Sequence, residues 1–120
     1  MKAIYLILFI FLPFSSFSQD CNRADLLNAS EFKQQISENE IQLLDVRTSN
    51  EFNSGHIEGA VSADVLNSQN FLSKISEFDK SQPIYIYCRS GNRSKKAAQL
   101  LCESGFKKVY DLKGGYLTWK

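Results

Sequence analysis

Apolar residues recur along this chain in two alternating rhythms, short runs that suit strands and turn-spaced sets that suit helices. Asn28 and Glu31 fit a capping box, with Phe32 and Ile36 one turn apart behind them. Ile41, Leu43, Leu44 and Val46 make a short strand that ends around Asp45, Val46 and Arg47. Thr48 and Glu51 repeat the capping-box spacing over a brief helical turn, and the segment SGHIEGA leads to a strand at residues 60–64. Phe71, Leu72, Ile75 and Phe78 return to helical spacing. PIYIYC is a strand with Pro83 at its start, where a missing amide costs little. Ala97, Ala98, Leu100, Leu101 and Cys102 place a helix over residues 95–103 that stops at Ser104 and Gly105. Residues 107–112 form the last strand, ahead of Gly114 and Gly115. Strands alternating with helices at this spacing predict an α/β domain, a small and mostly parallel sheet flanked by helices on both faces. Such sheets place ligand sites at the carboxyl ends of their strands. Asp45 to Arg47 and Cys88 both fall at such ends.

The first eighteen residues do not share this rhythm. Lys2 precedes an apolar block from Ala3 to Leu12, then Pro13 and a small polar stretch with Ser16 and Ser18. That order predicts a secretory signal peptide over residues 1–18, and the block is too short for a comfortable membrane span. The expectation is therefore a single domain over residues 19–120, exported to the periplasm, with no membrane insertion after cleavage. Cys21 opens an alternative, lipid anchoring, although Ser18, Gln19 and Asp20 lack the usual pattern of a lipidation signal.

Charge changes the picture only through its distribution. The whole chain carries 14 Lys plus Arg against 13 Asp plus Glu, so its balance points to no class of partner, and no nucleic acid is expected. From Ser81 onward, however, the basic residues are Arg89, Arg93, Lys95, Lys96, Lys107, Lys108, Lys113 and Lys120, against Glu103 and Asp111 alone. If the fold gathers some of these at one rim, Cys88 sits in an anion-attracting field. Cys21, Cys88 and Cys102 match no metal spacing and no obvious disulfide framework. An odd number in an exported chain leaves a thiol free for chemistry, and Cys102, at helix spacing from Ala98, reads as core.

Chemistry concentrates after Cys88. The residues Arg89, Ser90, Gly91, Asn92, Arg93 and Ser94 turn a strand directly into a helix, which leaves several backbone amides free to converge on an anion. The same amides and the positive end of the helix stabilise a thiolate at their edge. Gly91 is where so tight a loop needs positive φ. This cradle suits anions with an atom open to attack, whether a phosphoryl group or a sulfane sulfur. Phosphatase loops of the CxxxxxR type place arginine six positions after cysteine; here the spacing is CxxxxR, with Ser94 at the sixth position, so the ring is one residue shorter.

LLDVRTSNEFNSGHIEGAVSAD at 43–64 and YIYCRSGNRSKKAAQLLCESGFKKVYDLKGGYLTW at 85–119 together resemble the single-domain rhodanese-like sulfurtransferases, over essentially the whole mature chain. The resemblance implies that Cys88 is a nucleophile that becomes a persulfide and that Arg89, Ser90, Gly91, Asn92, Arg93 and Ser94 wrap it and bind substrate. It gives Asp45, Arg47, Glu51 and His56 structural places near the site, with Arg47 and Glu51 paired, and sets Tyr116 and Trp119 near the rim. The implied reaction moves sulfane sulfur from thiosulfate or a similar anionic donor to cyanide or a thiol, a protein thiol included. No cofactor beyond the covalent persulfide on Cys88 and no metal is implied. A non-enzymatic persulfide carrier or binding module, or a phosphatase or arsenate reductase using the same cradle, are the alternative readings.

Overall fold

A computed structural model describes residue 3 and residues 24–119. Apart from residue 3, the expected signal peptide lies outside the described residues, as does Cys21.

The elements run β1 (Asp25–Leu27), α1 (Ala29–Glu38), β2 (Gln42–Asp45), α2 (Ser49–Asn53), β3 (Val61–Ser62), α3 (Ser68–Ile75), β4 (Ile84–Tyr87), α4 (Arg93–Glu103) and β5 (Val109–Leu112), closed by a 3-10 helix (Gly115–Thr118). The five strands form one sheet in the order β1-β5-β4-β2-β3, and each of these pairings is parallel. Parallel strands need crossovers, and the crossovers put apolar faces on both sides of the sheet. Strand parity divides the core accordingly. Leu44, Ile84 and Ile86 pack with Phe71 and Ile75 of α3 and Ala97, Ala98 and Leu101 of α4. Leu43, Tyr85 and Tyr87 point the other way and pack with Phe32 of α1. All four residues of β4 are buried, which suits the central strand of a doubly covered sheet.

Local signals account for where the helices start. In α1 the Asn28 side chain accepts from the Glu31 amide at 2.8 Å while Glu31 accepts from the Asn28 amide. The Thr48–Glu51 pair does the same for α2, so both expected capping boxes are present. The helix expected over residues 95–103 begins two residues earlier, at Arg93, because Arg93 and Ser94 already turn with it. β3 is shorter than expected, two residues, and β1 was not expected at all. β1 has three residues, of which only Leu27 is buried, so it carries no periodic signal; it is held by pairing to β5 and by the Lys108–Asp25 ion pair.

One core expectation is corrected. Cys102 is half-buried and disulfide-bonded rather than a thiol in the core. The buried stripe of α4 is Ser94, Ala97, Ala98 and Leu101, and the next residue is rotated about 100° off it.

Among the described residues no helix is long and apolar enough to cross a membrane.

Candidate functional site

β4 ends at Tyr87, and the chain turns at Cys88 through Gly91 into α4. Cys88 is a free thiol, 1% exposed, at the bottom of this turn. Gly91 takes φ 105°, a region closed to most side chains, and its amide thereby donates to Cys88 Sγ at 3.0 Å. Asn92 adopts ordinary right-handed geometry and leads into the helix without a side-chain cap. The amides at the start of α4 thus have no cap from its own side chain, a polar environment suited to anions.

The loop is held from behind by the 3-10 helix. Tyr116 donates its amide to the Cys88 carbonyl at 2.8 Å, and Leu117 donates to the Arg89 carbonyl at 3.1 Å. This close approach needs Gly115, since a Cβ there would lie 2.5 Å from the Arg89 backbone. The Gly-Gly pair after β5 is therefore part of the site's scaffold.

Asp45 and Arg47, both buried, form a fork at the end of β2. Arg47 Nη2 donates to Asp45 Oδ2 at 2.6 Å, Nε donates to Oδ1 at 2.9 Å, and a further bond from Nη2 reaches the Gly55 carbonyl at 2.7 Å. The guanidinium also lies 4.4 Å from the centre of the Tyr116 ring. The Asp45 carboxylate at these distances raises the Arg47 pKa further above its ordinary value. Through its Nε and Nη2 bonds and its place over the Tyr116 ring, Arg47 ties β2 to the loop after α2 and to the 3-10 helix.

The expected pairing of Arg47 with Glu51 does not form. Glu51 instead takes both terminal nitrogens of Arg93, at 2.6 and 2.8 Å. Hydrogen bonds from Arg93 bring the Glu51 carboxyl down to about 2. The correction has a geometric cause. Arg47 turns back onto Asp45 two residues away, whereas Arg93 leaves the first turn of α4 within reach of α2. His56 is exposed, stacks on Phe52 and bonds the Phe52 carbonyl at 2.9 Å through Nδ1, so it stands outside the cysteine's contacts.

Arg89 and Ser90 are exposed at the top of the loop. Arg89 lines an open hollow of about 370 Å³ together with Arg47, Glu51, Gly55 and Tyr116. A hollow of about 420 Å³ at the opposite ends of the strands, around Gln42 and Pro83, holds neither cysteine nor basic residue. Tyr116 stacks on the buried Tyr87 near the mouth, whereas Trp119 packs edge-on against Phe32, away from the loop. Burial raises the Tyr87 pKa, and its hydroxyl accepts the Ile57 amide at 3.0 Å.

Ser94 was expected on the substrate side of the loop, but it is fully buried beneath it. Its hydroxyl is 3.5 Å from Cys88 Sγ and 2.7 Å from Asp111 Oδ2. Asp111 was missed as a site residue. A signal did exist, because Asp111 shares strand parity with Val109, which faces the core of α3 and α4. Among the described residues no group of three or more His, Cys, Asp or Glu side chains converges as a metal site.

The model of the Rhodanese-like domain matches residues 28–120. The thiosulfate sulfurtransferase GlpE of Shewanella oneidensis is 39% identical over 93 residues, which cover 78% of this chain and 89% of that protein. A tRNA uridine(34) hydroxylase of Cytophaga hutchinsonii is 36% identical over 95 residues, but these are 78% of this chain and only 30% of that protein. The solution structure of a rhodanese-like domain from Anabaena superposes with TM-score 0.71 at 30% identity, covering 81% of this chain and 74% of that one. A rhodanese-like domain protein of Staphylococcus aureus gives TM-score 0.70 at 27% identity, with 80% and 91% covered.

Proposed function

Since the chain belongs to the rhodanese-like domain family, we propose that it is a sulfurtransferase that takes sulfane sulfur from thiosulfate or a similar anionic donor onto Cys88. The Cys88 thiolate attacks the outer sulfur of the donor. A new S–S bond forms, the donor's own S–S bond breaks, and sulfite leaves with the electron pair. An acceptor nucleophile, cyanide or a small or protein thiol, then takes the outer sulfur and returns Cys88 as thiolate.

The observation that carries this reading is the Gly91 amide aimed at Cys88 Sγ from 3.0 Å. A preorganised donor at that place stabilises negative charge on sulfur without reorganising during the reaction. Exposed Arg89 supplies positive potential at the mouth, where an anionic donor arrives. Arg93 contributes through its pair with Glu51, by neutralising a carboxylate that would otherwise repel the donor.

The disulfide at Cys102 supports the export expected from the sequence of residues 1–18, since disulfides persist in oxidising compartments. The burial of Cys88 protects its thiol there from all but small reagents.

The test is mass spectrometry of the purified protein before and after thiosulfate. The expected result is a gain of one sulfur atom, mapped to Cys88 and lost on adding cyanide with release of thiocyanate over many turnovers. Gain without turnover assigns the carrier role instead, and no gain removes the sulfur-transfer reading.

A further inference from the structure

Beneath the catalytic loop lies a polar chain that the reaction so far has not used. Cys88 Sγ, Ser94 Oγ and Asp111 Oδ2 follow one another at 3.5 and 2.7 Å. All three residues are buried, at 1%, 0% and 2% exposure. The other Asp111 oxygen, Oδ1, is buried with no hydrogen-bond partner among the described residues. Such a group costs stability, so its presence calls for an explanation. Asp111 also forms part of the wall of a pocket of about 140 Å³, between α4 and the β1 edge, lined by Ala24, Leu26, Lys95 and Ala98. The chain therefore runs from the sulfur, away from the substrate mouth, to a second opening.

We propose that Ser94 and Asp111 form a proton relay that takes the thiol proton of Cys88 inward during sulfur uptake and returns it when the persulfide is discharged. This rests on Cys88 being the sulfur-carrying nucleophile. In the first half, Cys88 S–H gives its proton to Ser94 Oγ while the Ser94 hydroxyl gives its own to Asp111 Oδ2. The thiol and carboxylate become a thiolate and a carboxylic acid, with no change in total charge or proton count. In the second half, removal of the outer sulfur leaves a Cys88 thiolate, and the same two transfers run in reverse. Asp111 holds the proton while the persulfide exists. Ser94 suits this role because a hydroxyl both donates and accepts, and its alternative acceptor, the Gly91 carbonyl at 3.1 Å, is part of the same loop.

The surroundings of Asp111 are consistent with a group that changes protonation near neutrality. Its carboxyl is pushed up to about 6, chiefly by burial, with the Ser94 hydrogen bond and the Lys95 charge opposing. Lys95 is the charged neighbour from α4, and Cys88 faces it from the end of β4 through Ser94. Arg93 on α4 is held by Glu51 through both of its terminal nitrogens. From β1 its register partner is Leu26, and the adjacent Asp25 is paired with Lys108.

The experiment is the rate of Cys88 alkylation by iodoacetamide, followed by mass spectrometry between about pH 4.5 and 8.5 in the full chain and in Asp111→Asn, Ser94→Ala and Ser94→Thr. Cys102 does not compete, being disulfide-bonded. Two coupled groups lose their protons in two steps, so the relay predicts a first rise in rate near pH 6 in the wild-type chain. Asp111→Asn and Ser94→Ala should each lose that limb and react more slowly at pH 7 by about tenfold or more, while Ser94→Thr should keep it. A purely electrostatic Asp111 would do the opposite, since removing its negative charge eases thiolate formation. A faster Asp111→Asn, or an unchanged limb in Ser94→Ala, overturns the relay. No sulfur donor enters this assay, so its outcome is independent of whether thiosulfate is the donor.

Discussion

Glu51 and Arg93 join the first turn of α2 to the first turn of α4 across the rim of the cysteine loop, through two parallel bonds of 2.6 and 2.8 Å. Forked pairs of this kind fix orientation as well as charge. The two partners should affect donor binding in opposite directions. Arg93→Ala leaves a carboxylate facing the arriving anion and should raise the KM for thiosulfate. Glu51→Gln leaves a guanidinium free and should lower it. Steady-state kinetics on both variants decide the matter, and shifts of the same sign would show that the pair acts only through loop geometry.

The pair also predicts a pH dependence of stability. The Glu51 carboxyl is held at about 2 by Arg93, below its ordinary value. The stabilisation it brings is complete above the unfolded-state value and is lost as pH falls through about 2. Because both side chains are about a quarter exposed, solvent screening limits the effect to about 1 kcal/mol. Denaturation midpoints of wild type and Glu51→Gln should differ at pH 7 and converge toward pH 2.

How much of this was legible depended on distance along the chain. Both capping boxes could be read because each closes over three residues. The Glu51–Arg93 pair spans 42 residues, a separation over which spacing carries no signal, and the family resemblance points to Arg47 instead. Cys88 and its loop stood out because the turn's chemistry is contiguous. The role of Ser94 did not, since a helix's first turn gives no sign of which hydroxyl faces inward. β1 escaped notice because a three-residue edge strand has too few positions to show a period.

Arg47 and Asp45 set a contrast with Arg89. Arg47→Leu leaves the fully buried Asp45 carboxylate without its partner, and breaking a buried pair from one side costs about 3–5 kcal/mol. Arg89→Leu alters an exposed side chain and should change stability by no more than about 0.5 kcal/mol. Urea denaturation of the two variants checks this. A small loss for Arg47→Leu would mean that the fork is not what holds β2 to the loop after α2.

Asp111 carries the opposite sign from Glu51. Its carboxyl is raised to about 6 by burial, so the fold favours the protonated form. Stability from that group is present below the unfolded value and lost as pH rises through about 6. For a carboxyl this deeply buried, the rise from its ordinary value corresponds to about 2–3 kcal/mol. Asp111→Asn should therefore melt higher than wild type at pH 8 and match it near pH 4, as measured by Tm across that range. Equal melting temperatures at pH 8 would mean that the ionised carboxylate is better solvated, through the adjoining pocket, than its burial implies.

Two glycines test whether the 3-10 helix braces the Cys88 loop. Gly59 has φ +87° with nothing within 4 Å of a built Cβ, whereas Gly115 has φ +67° and a Cβ there meets the Arg89 backbone at 2.5 Å. Alanine at residue 59 should cost only the left-handed conformation, about 1–2 kcal/mol. Alanine at residue 115 adds a backbone collision to that strain and should cost about 1–3 kcal/mol more. The collision falls on the residue after Cys88, whose own carbonyl is bonded by Tyr116. Gly115→Ala should therefore also slow Cys88 alkylation and sulfur uptake at a temperature where the variant remains folded, while Gly59→Ala leaves both rates unchanged. If Gly115→Ala loses stability but keeps wild-type thiol reactivity, the loop holds its shape through the Gly91 turn alone and the 3-10 helix supports only the fold.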